Sequence, residues 1–165
     1  MDDNERLVEG LPPFVFADTK ILILGSFPSV KSRAEEFYYM HPQNRFYKVL
    51  DRVFNVSLYD ASINDKKTIL KKLHIGLFDT VKSCYIKGSS DLSIHNYVVN
   101  DLRAIIKNTK IKMIITNGKL SEKIFKKNFD DLVYMACFLP STSPANAQFS
   151  LEKLVEIWSN ALLND

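Results

Sequence analysis

Short apolar runs separated by longer amphipathic stretches organise this chain. "KILILG", Lys20 to Gly25, is nearly continuous in apolar residues and ends in glycine. That pattern predicts a strand buried on both faces. "IKMIITNG" (Ile111 to Gly118) and "LVYMACFLP" (Leu132 to Pro140) repeat it, and "HIGLFDTV" (His74 to Val81) is a weaker fourth version. Between these runs the spacing becomes helical. Phe46, Leu50, Val53 and Phe54 share one face of a helix predicted from about Asn44 to Phe54. Ile69, Leu70 and Leu73 predict a short helix. Ile94, Val98, Leu102, Ile105 and Ile106 form a longer stripe, and "KLSEKIFKK" follows the third strand. Leu151, Leu154, Val155, Trp158 and Leu162 predict a last helix, with Ser150 as its N-cap.

Strands alternating with helices imply an α/β fold, a parallel sheet covered on both sides and joined by right-handed crossovers. Ligands in such folds bind beyond the carboxyl ends of the strands. The segments expected there are "GSFPSVKS", "DTVKSCYIKGSSD", "NGKLS" and "PSTSPANAQ". All are rich in Ser, Thr, Asn and Gly. Each is ordinary loop chemistry by itself. Four at one edge, with "YYMHPQN" (Tyr38 to Asn44) leading into a helix, point to a binding site for something small and flat.

Length and composition narrow the class. The chain has 165 residues, which favours one domain, residues 1–165. The net charge of +3 is compatible with a nucleic-acid partner and equally with solvated lysines. Cys84 and Cys137 have no C-x-x-C neighbour, so neither a zinc site nor an iron–sulfur cluster is expected, and buried thiols are. The start, "MDDNERLVEG", does not read as a signal peptide, and no apolar run approaches the roughly 20 residues that span a bilayer. A soluble, cytoplasmic protein is expected.

Several chemistries find no support. "GSFPS" lacks the lysine and spacing of a Walker loop and is not G-x-G-x-x-G, so no nucleotide cofactor is implied. No G-x-S-x-G elbow is present. His41, His74 and His95 show no metal-ligand spacing, and His74 fits a structural role at a strand start.

Taken together, "GSFPS", "YYMHPQNRFY" and "PSTSPAN" resemble, in order, the motifs of the uracil-DNA glycosylase superfamily. The similarity is strongest to its hypoxanthine-DNA glycosylase (DNA-deoxyinosine glycosylase) branch and runs from about Leu11 to the last helix. It implies a three-layer α/β/α sandwich with a central four-stranded parallel sheet. It implies hydrolysis of the bond between a deaminated base and deoxyribose, with no metal or organic cofactor and DNA containing deaminated bases as the partner of a monomer. Asn44 is implied as the catalytic residue, holding the attacking water by its amide.

For base binding the resemblance points to Gly25, Ser26, Phe27 and Pro28, with backbone N–H groups around Ser26 and Phe27 as donors, and to Tyr39 as the stacking ring. Phe78, Asp79 and Asn117, at the ends of the second and third strands, complete the expected set. Ser141, Thr142, Ser143, Pro144, Ala145 and Asn146 are expected to press on the DNA strand, the hydroxyls donating to phosphates. Lys31, Arg33 and Arg45 are further candidate phosphate partners. The chain departs from the pattern at Phe27, where many relatives have Asp or Asn. It departs again at Leu139, where uracil-specific enzymes have histidine. Two other readings stay open: a damaged-DNA binding module without turnover, and a small-molecule nucleoside hydrolase.

Overall fold

The run at Lys20 forms the heart of the sheet. In a computed structural model, which describes residues 5–87 and 95–164, the strands and helices follow one another as β1 Glu5–Glu9, β2 Ile21–Gly25, α1 Val30–Glu35, α2 Phe46–Phe54, α3 Ile63–Lys72, β3 Ile75–Asp79, β4 Val81–Lys87, β5 His95–Val99, α4 Leu102–Lys107, β6 Met113–Asn117, α5 Lys119–Asn128, β7 Ala136–Leu139 and α6 Leu151–Leu163. A 3-10 helix, Asp130–Met135, precedes β7. Four parallel strands in the order β3-β2-β6-β7 make the main sheet, with Leu22 opposite both Gly76 and Ile114. Leu22, Ile23 and Leu24 are fully buried, as a strand covered on both faces requires.

Helices complete the three layers of an α/β/α sandwich. α2 and α6 pack against each other, with Phe46 of α2 edge-on to Trp158 of α6 at 6.1 Å and both fully buried. α3 lies on β3 and α5 on β6. Side-chain caps start most helices: Ser29, Ser62 and Asp101 accept from Ser32, Asp65 and Ala104 N–H. The predicted cap Ser150 accepts from Lys153 N–H. His74 takes a left-handed φ of 61° just before β3, with its Nδ1 3.1 Å from the Asp18 carbonyl, the structural role expected of it.

Three expectations need correction. The stripe read as a helix from Ile94 begins outside the described residues, and residues 95–99 are strand β5. There Asn96 and Val98 are exposed while Tyr97 and Val99 are half-buried, a period of two. The helix is only Leu102–Lys107, capped by Asp101. Second, "VKSCYIK" is not a loop. It is β4, and with β1 and β5 it forms an antiparallel side sheet, β1-β4-β5, around a second small core of Phe27, Val81, Cys84, Ile86 and Ile124. Third, only the last part of "LVYMACFLP" is extended; its start is the 3-10 helix, in which Leu132 is buried and Tyr134 is 83% exposed. The "GSSD" segment lies outside the described residues. Cys84 is buried and Cys137 half-buried, and they form no disulfide. No helix among the described residues is long and apolar enough to cross a membrane.

Candidate active site

The carboxyl end of β2 runs into the turn Gly25-Ser26-Phe27-Pro28. Its carbonyls are held from two sides. Thr80 N–H donates to Gly25 O (2.9 Å), Val81 N–H to Ser26 O (3.0 Å), and Ser121 Oγ to Leu24 O (3.0 Å). The carbonyls of Gly25 and Ser26 are thus already engaged within the protein. Gly25 is required by close approach. A Cβ there would lie 2.5 Å from Asp79 Oδ1 and 3.4 Å from the Tyr39 hydroxyl. Asp79, at the end of β3, is buried, and its carbonyl accepts from Asn100 Nδ2 at 2.8 Å.

The tyrosines before α2 are packed into one aromatic corner. Tyr38 donates to Pro12 O at 2.8 Å, and Tyr47 donates to Tyr38 O at 2.6 Å. Tyr39 has a left-handed φ of 58°, unusual for a bulky side chain, and its ring stacks on Phe46 at 4.0 Å. Its hydroxyl is buried near Gly25, Asp79 and Asn117 and makes no well-formed hydrogen bond. Burial, and then the neighbouring Asp79, hold Tyr38 and Tyr39 well above the usual tyrosine range.

Tyr39 and Asn44 line one cavity of about 370 Å³, together with His41, Tyr47, Tyr59 and Lys66. Lys66 is almost fully buried. Its ammonium donates to Ala61 O at 2.6 Å and lies 5.0 Å from the Tyr47 ring; burial lowers its pKa.

A hydrogen-bonded chain links Asn44 to the end of β6 and to the loop after β7, and two backbone amides fix its direction. Phe46 N–H donates to Asn44 Oδ1 (2.9 Å), and Thr142 N–H donates to Asn117 Oδ1 (2.9 Å). A backbone N–H can only donate, so the oxygen end of each side-chain amide is set. Asn117 Nδ2 then donates to Thr142 Oγ1 (3.0 Å), and that hydroxyl donates to Asn44 Oδ1 (2.8 Å). The bond to Phe46 also caps the start of α2, so Asn44 serves the helix and the cavity at once.

Arg45 mounts the loop after β7 on this helix. Its backbone N–H donates to Thr142 O at 3.0 Å. Its guanidinium donates to the carbonyls of Ser143 (2.9 Å), Asn146 (3.1 Å) and Phe149. Within the loop, Ser143 N–H bonds Ser141 Oγ, Ala145 N–H bonds Ser143 Oγ, and Asn146 Nδ2 donates to Ser141 O. Pro144 and Ala145 are exposed at its tip. Gly118, with φ of 105°, lets Ser141 pack within 3.0 Å of where a Cβ would stand.

The structure thus brings Asn44, Tyr39, Asn117 and Thr142 together and sets Gly25 and Asp79 against the Tyr39 hydroxyl. Other expected roles change. The Phe27 ring turns away into the side-sheet core, under the Arg33 guanidinium at 5.7 Å, so only its backbone can serve the cleft. The Phe78 ring belongs to the main core. Thr142 is fully buried with its hydroxyl committed to Asn44, and does not face a phosphate. Arg45 spends its guanidinium on carbonyls, and Lys31 pairs with Glu35 at 3.0 Å. Tyr47 of α2, Tyr59 of the connection to α3 and Lys66 of α3 join the cavity with no signal in the hydrophobic pattern. Among the described residues, no group of three or more His, Cys, Asp or Glu is placed to hold a metal ion.

A parallel α/β/α sandwich with a polar chain and an aromatic corner at its strand ends is the class that the fold and site define. More narrowly, the chain belongs to the Uracil DNA glycosylase superfamily, whose family model matches residues 12–162. It is 32% identical over 142 residues to the Hypoxanthine DNA glycosylase of Methanosarcina acetivorans, covering 86% of this chain and 89% of that one. It is 31% identical over 155 residues to the protein of the same name from Methanosarcina barkeri, covering 93% and 96%. A solution NMR structure from Methanosarcina acetivorans, provisionally assigned as a uracil DNA glycosylase, superimposes with a TM-score of 0.83 at 30% identity, covering 95% of this chain and 97% of that one.

Proposed function

We propose that this protein is a monofunctional DNA glycosylase that hydrolyses the N-glycosidic bond of deaminated bases, hypoxanthine first and uracil second, opening base excision repair. The observation that carries this reading is the meeting of Asn44 and Tyr39 at one cavity beside the end of β2. Relatives named hypoxanthine DNA glycosylase support the order of substrates, as does Leu139 in the position where uracil-specific enzymes have histidine.

A base inside a duplex must be turned out, at a cost of a few kcal/mol. Stacking on an aromatic ring returns about 1–3 kcal/mol per base. Phe46 covers one face of Tyr39, and the other face takes the base. Asp79 accepts from its lactam or imide N–H, and the backbone N–H groups around Ser26 and Phe27 receive charge as the bond breaks. Water is the nucleophile. Lys66 is the lysine that lines the cavity, and its ammonium is already engaged by main-chain carbonyls. Ser141, Ser143 and Asn146 hold the DNA strand, with Pro144 and Ala145 entering the gap. The protein works as a cytoplasmic monomer without metal or cofactor.

The test is excision from a panel of duplexes carrying hypoxanthine, uracil, xanthine or a mismatch. Hypoxanthine release is expected to be fastest, and Asn44→Ala to lower it at least about 100-fold with DNA binding retained. Tight binding to damaged DNA with no release of any base would instead establish a binding module, a reading favoured by the apolar Phe27 in the first motif. Release from free nucleosides, with affinity indifferent to salt, would establish a nucleoside hydrolase.

A further inference from the structure

The glycosylase reading leaves open which atom of Asn44 acts, and the hydrogen bonds around it answer that. A side-chain carbonyl has two lone pairs. Those of Asn44 Oδ1 are taken by Phe46 N–H at 2.9 Å and by the Thr142 hydroxyl at 2.8 Å. The sense of both bonds is fixed from outside. Phe46 supplies a backbone donor. Thr142 Oγ1 already accepts from Asn117 Nδ2, whose own orientation is locked by Thr142 N–H, so the hydroxyl proton has Asn44 as its destination. The end of Asn44 left for the cavity is its NH2 group, which can donate and cannot accept.

We propose that Asn44 acts as a hydrogen-bond donor to the departing base, and that Thr142 is the positioning residue that holds the amide in this orientation. The inference rests on the glycosylase reading and revises the water-holding role implied by family resemblance. A water attacking C1′ must shed a proton, and an NH2 group offers it no acceptor. The base, by contrast, gains an electron pair. The C1′–N9 bond breaks with its two electrons moving onto the purine, whose N3 and N7 flank the bond and share the charge. The water oxygen bonds to C1′, and its released proton ends on the base or in solvent, leaving free hypoxanthine and an abasic sugar. A fixed donor against N3 or N7 strengthens as that charge grows, which lowers the barrier without a general base at this position.

Single-turnover excision of hypoxanthine from duplex DNA distinguishes the possibilities. Activity of the wild type tests the glycosylase reading by itself; its absence removes that reading and this one together. Given activity, Asn44→Asp is expected to be no better than Asn44→Ala, because a carboxylate brings acceptors only. Retention of near wild-type rate by Asn44→Asp would overturn the donor role and restore water-holding by an acceptor. Thr142→Val, which removes the hydroxyl and little else, is expected to slow the saturated rate by about 10- to 100-fold through misplacement of the amide. DNA affinity should stay unchanged, and Thr142→Ser should recover most of the rate. A wild-type rate for Thr142→Val would overturn its positioning role. Substrate analogues keep the test independent of how that variant folds. On duplexes with 3-deaza- or 7-deazahypoxanthine, one analogue should erase most of the difference between wild type and Asn44→Ala. Persistence of the full difference on both would overturn the proposal.

Discussion

Replacing Arg45 by alanine should loosen the loop after β7 without unfolding the protein. The guanidinium bonds three loop carbonyls, at 2.9 Å to Ser143, 3.1 Å to Asn146 and closely to Phe149, with a longer contact of 3.4 Å to Thr142. A hydrogen bond from a charged donor contributes about 1.5–3 kcal/mol. Three of them do not add, because the site is half-exposed and water resolvates the freed carbonyls. A net loss of about 3 kcal/mol is the resulting figure, within the 5–15 kcal/mol typical of a domain. For a chain of this size that lowers Tm by about 6–12 °C. Thermal unfolding and hydrogen exchange of the peptide covering residues 141–149 read the two effects, with Arg45→Lys expected to fall between alanine and wild type. The salt dependence of DNA affinity adds a third reading. A phosphate contact would reduce its slope by nearly one when removed, whereas a loop anchor leaves it alone. Unchanged Tm and unchanged loop protection in Arg45→Ala, or a clear loss of salt slope, would refute the reasoning.

Gly25→Ala would place a methyl group 2.5 Å from Asp79 Oδ1; destabilisation of about 1–3 kcal/mol and loss of excision are expected from thermal melts and duplex cleavage. Tyr39→Phe removes a buried hydroxyl that makes no well-formed bond, so unfolding free energy should change by less than about 1 kcal/mol, whereas Tyr39→Ala should also lose a stacking face and slow excision by about 10- to 100-fold. The pH dependence of stability follows from the buried tyrosines. Tyr38, Tyr39 and Tyr47 all titrate above the ordinary value of 10, burial being the main cause. The unfolded chain therefore releases protons first, so the stability they lend is complete below about pH 10 and is lost as pH rises beyond it. Tm measured across that range should fall, with phenolate absorbance appearing at the unfolding transition.

The parts legible from sequence are those set by local pattern. β2 and β6 announce themselves as apolar runs because both faces are covered, and α2 and α6 because one face is. The side sheet was hidden for the opposite reason. β1 reads "ERLVE", an edge strand with mostly exposed residues, and β5 satisfies a helical stripe by coincidence of Val98 with Leu102. At the site, Asn44, Tyr39 and Asn117 could be nominated from position and motif. Thr142 and Arg45 are candidates for phosphates in the sequence because hydroxyls and guanidinium groups suit them, although an arginine can equally find a partner inside the fold. Their inward direction depends on contacts across roughly a hundred residues, such as Thr142 with Asn44 and Arg45 with Ser143, and no local spacing encodes it.

Phe27 is a second tie between the turn at the end of β2 and the side sheet, besides the backbone bond from Val81 N–H to Ser26 O. Its main chain belongs to the turn at the end of β2, while its ring is gripped by Val81, Cys84, Ile86 and Ile124. The amides of that turn are thus held in register by a hydrophobic peg seated in a different core. Trimming Ile86 or Ile124 would slacken the seat, so a greasy substitution made well away from any bound nucleotide should register as slower chemistry.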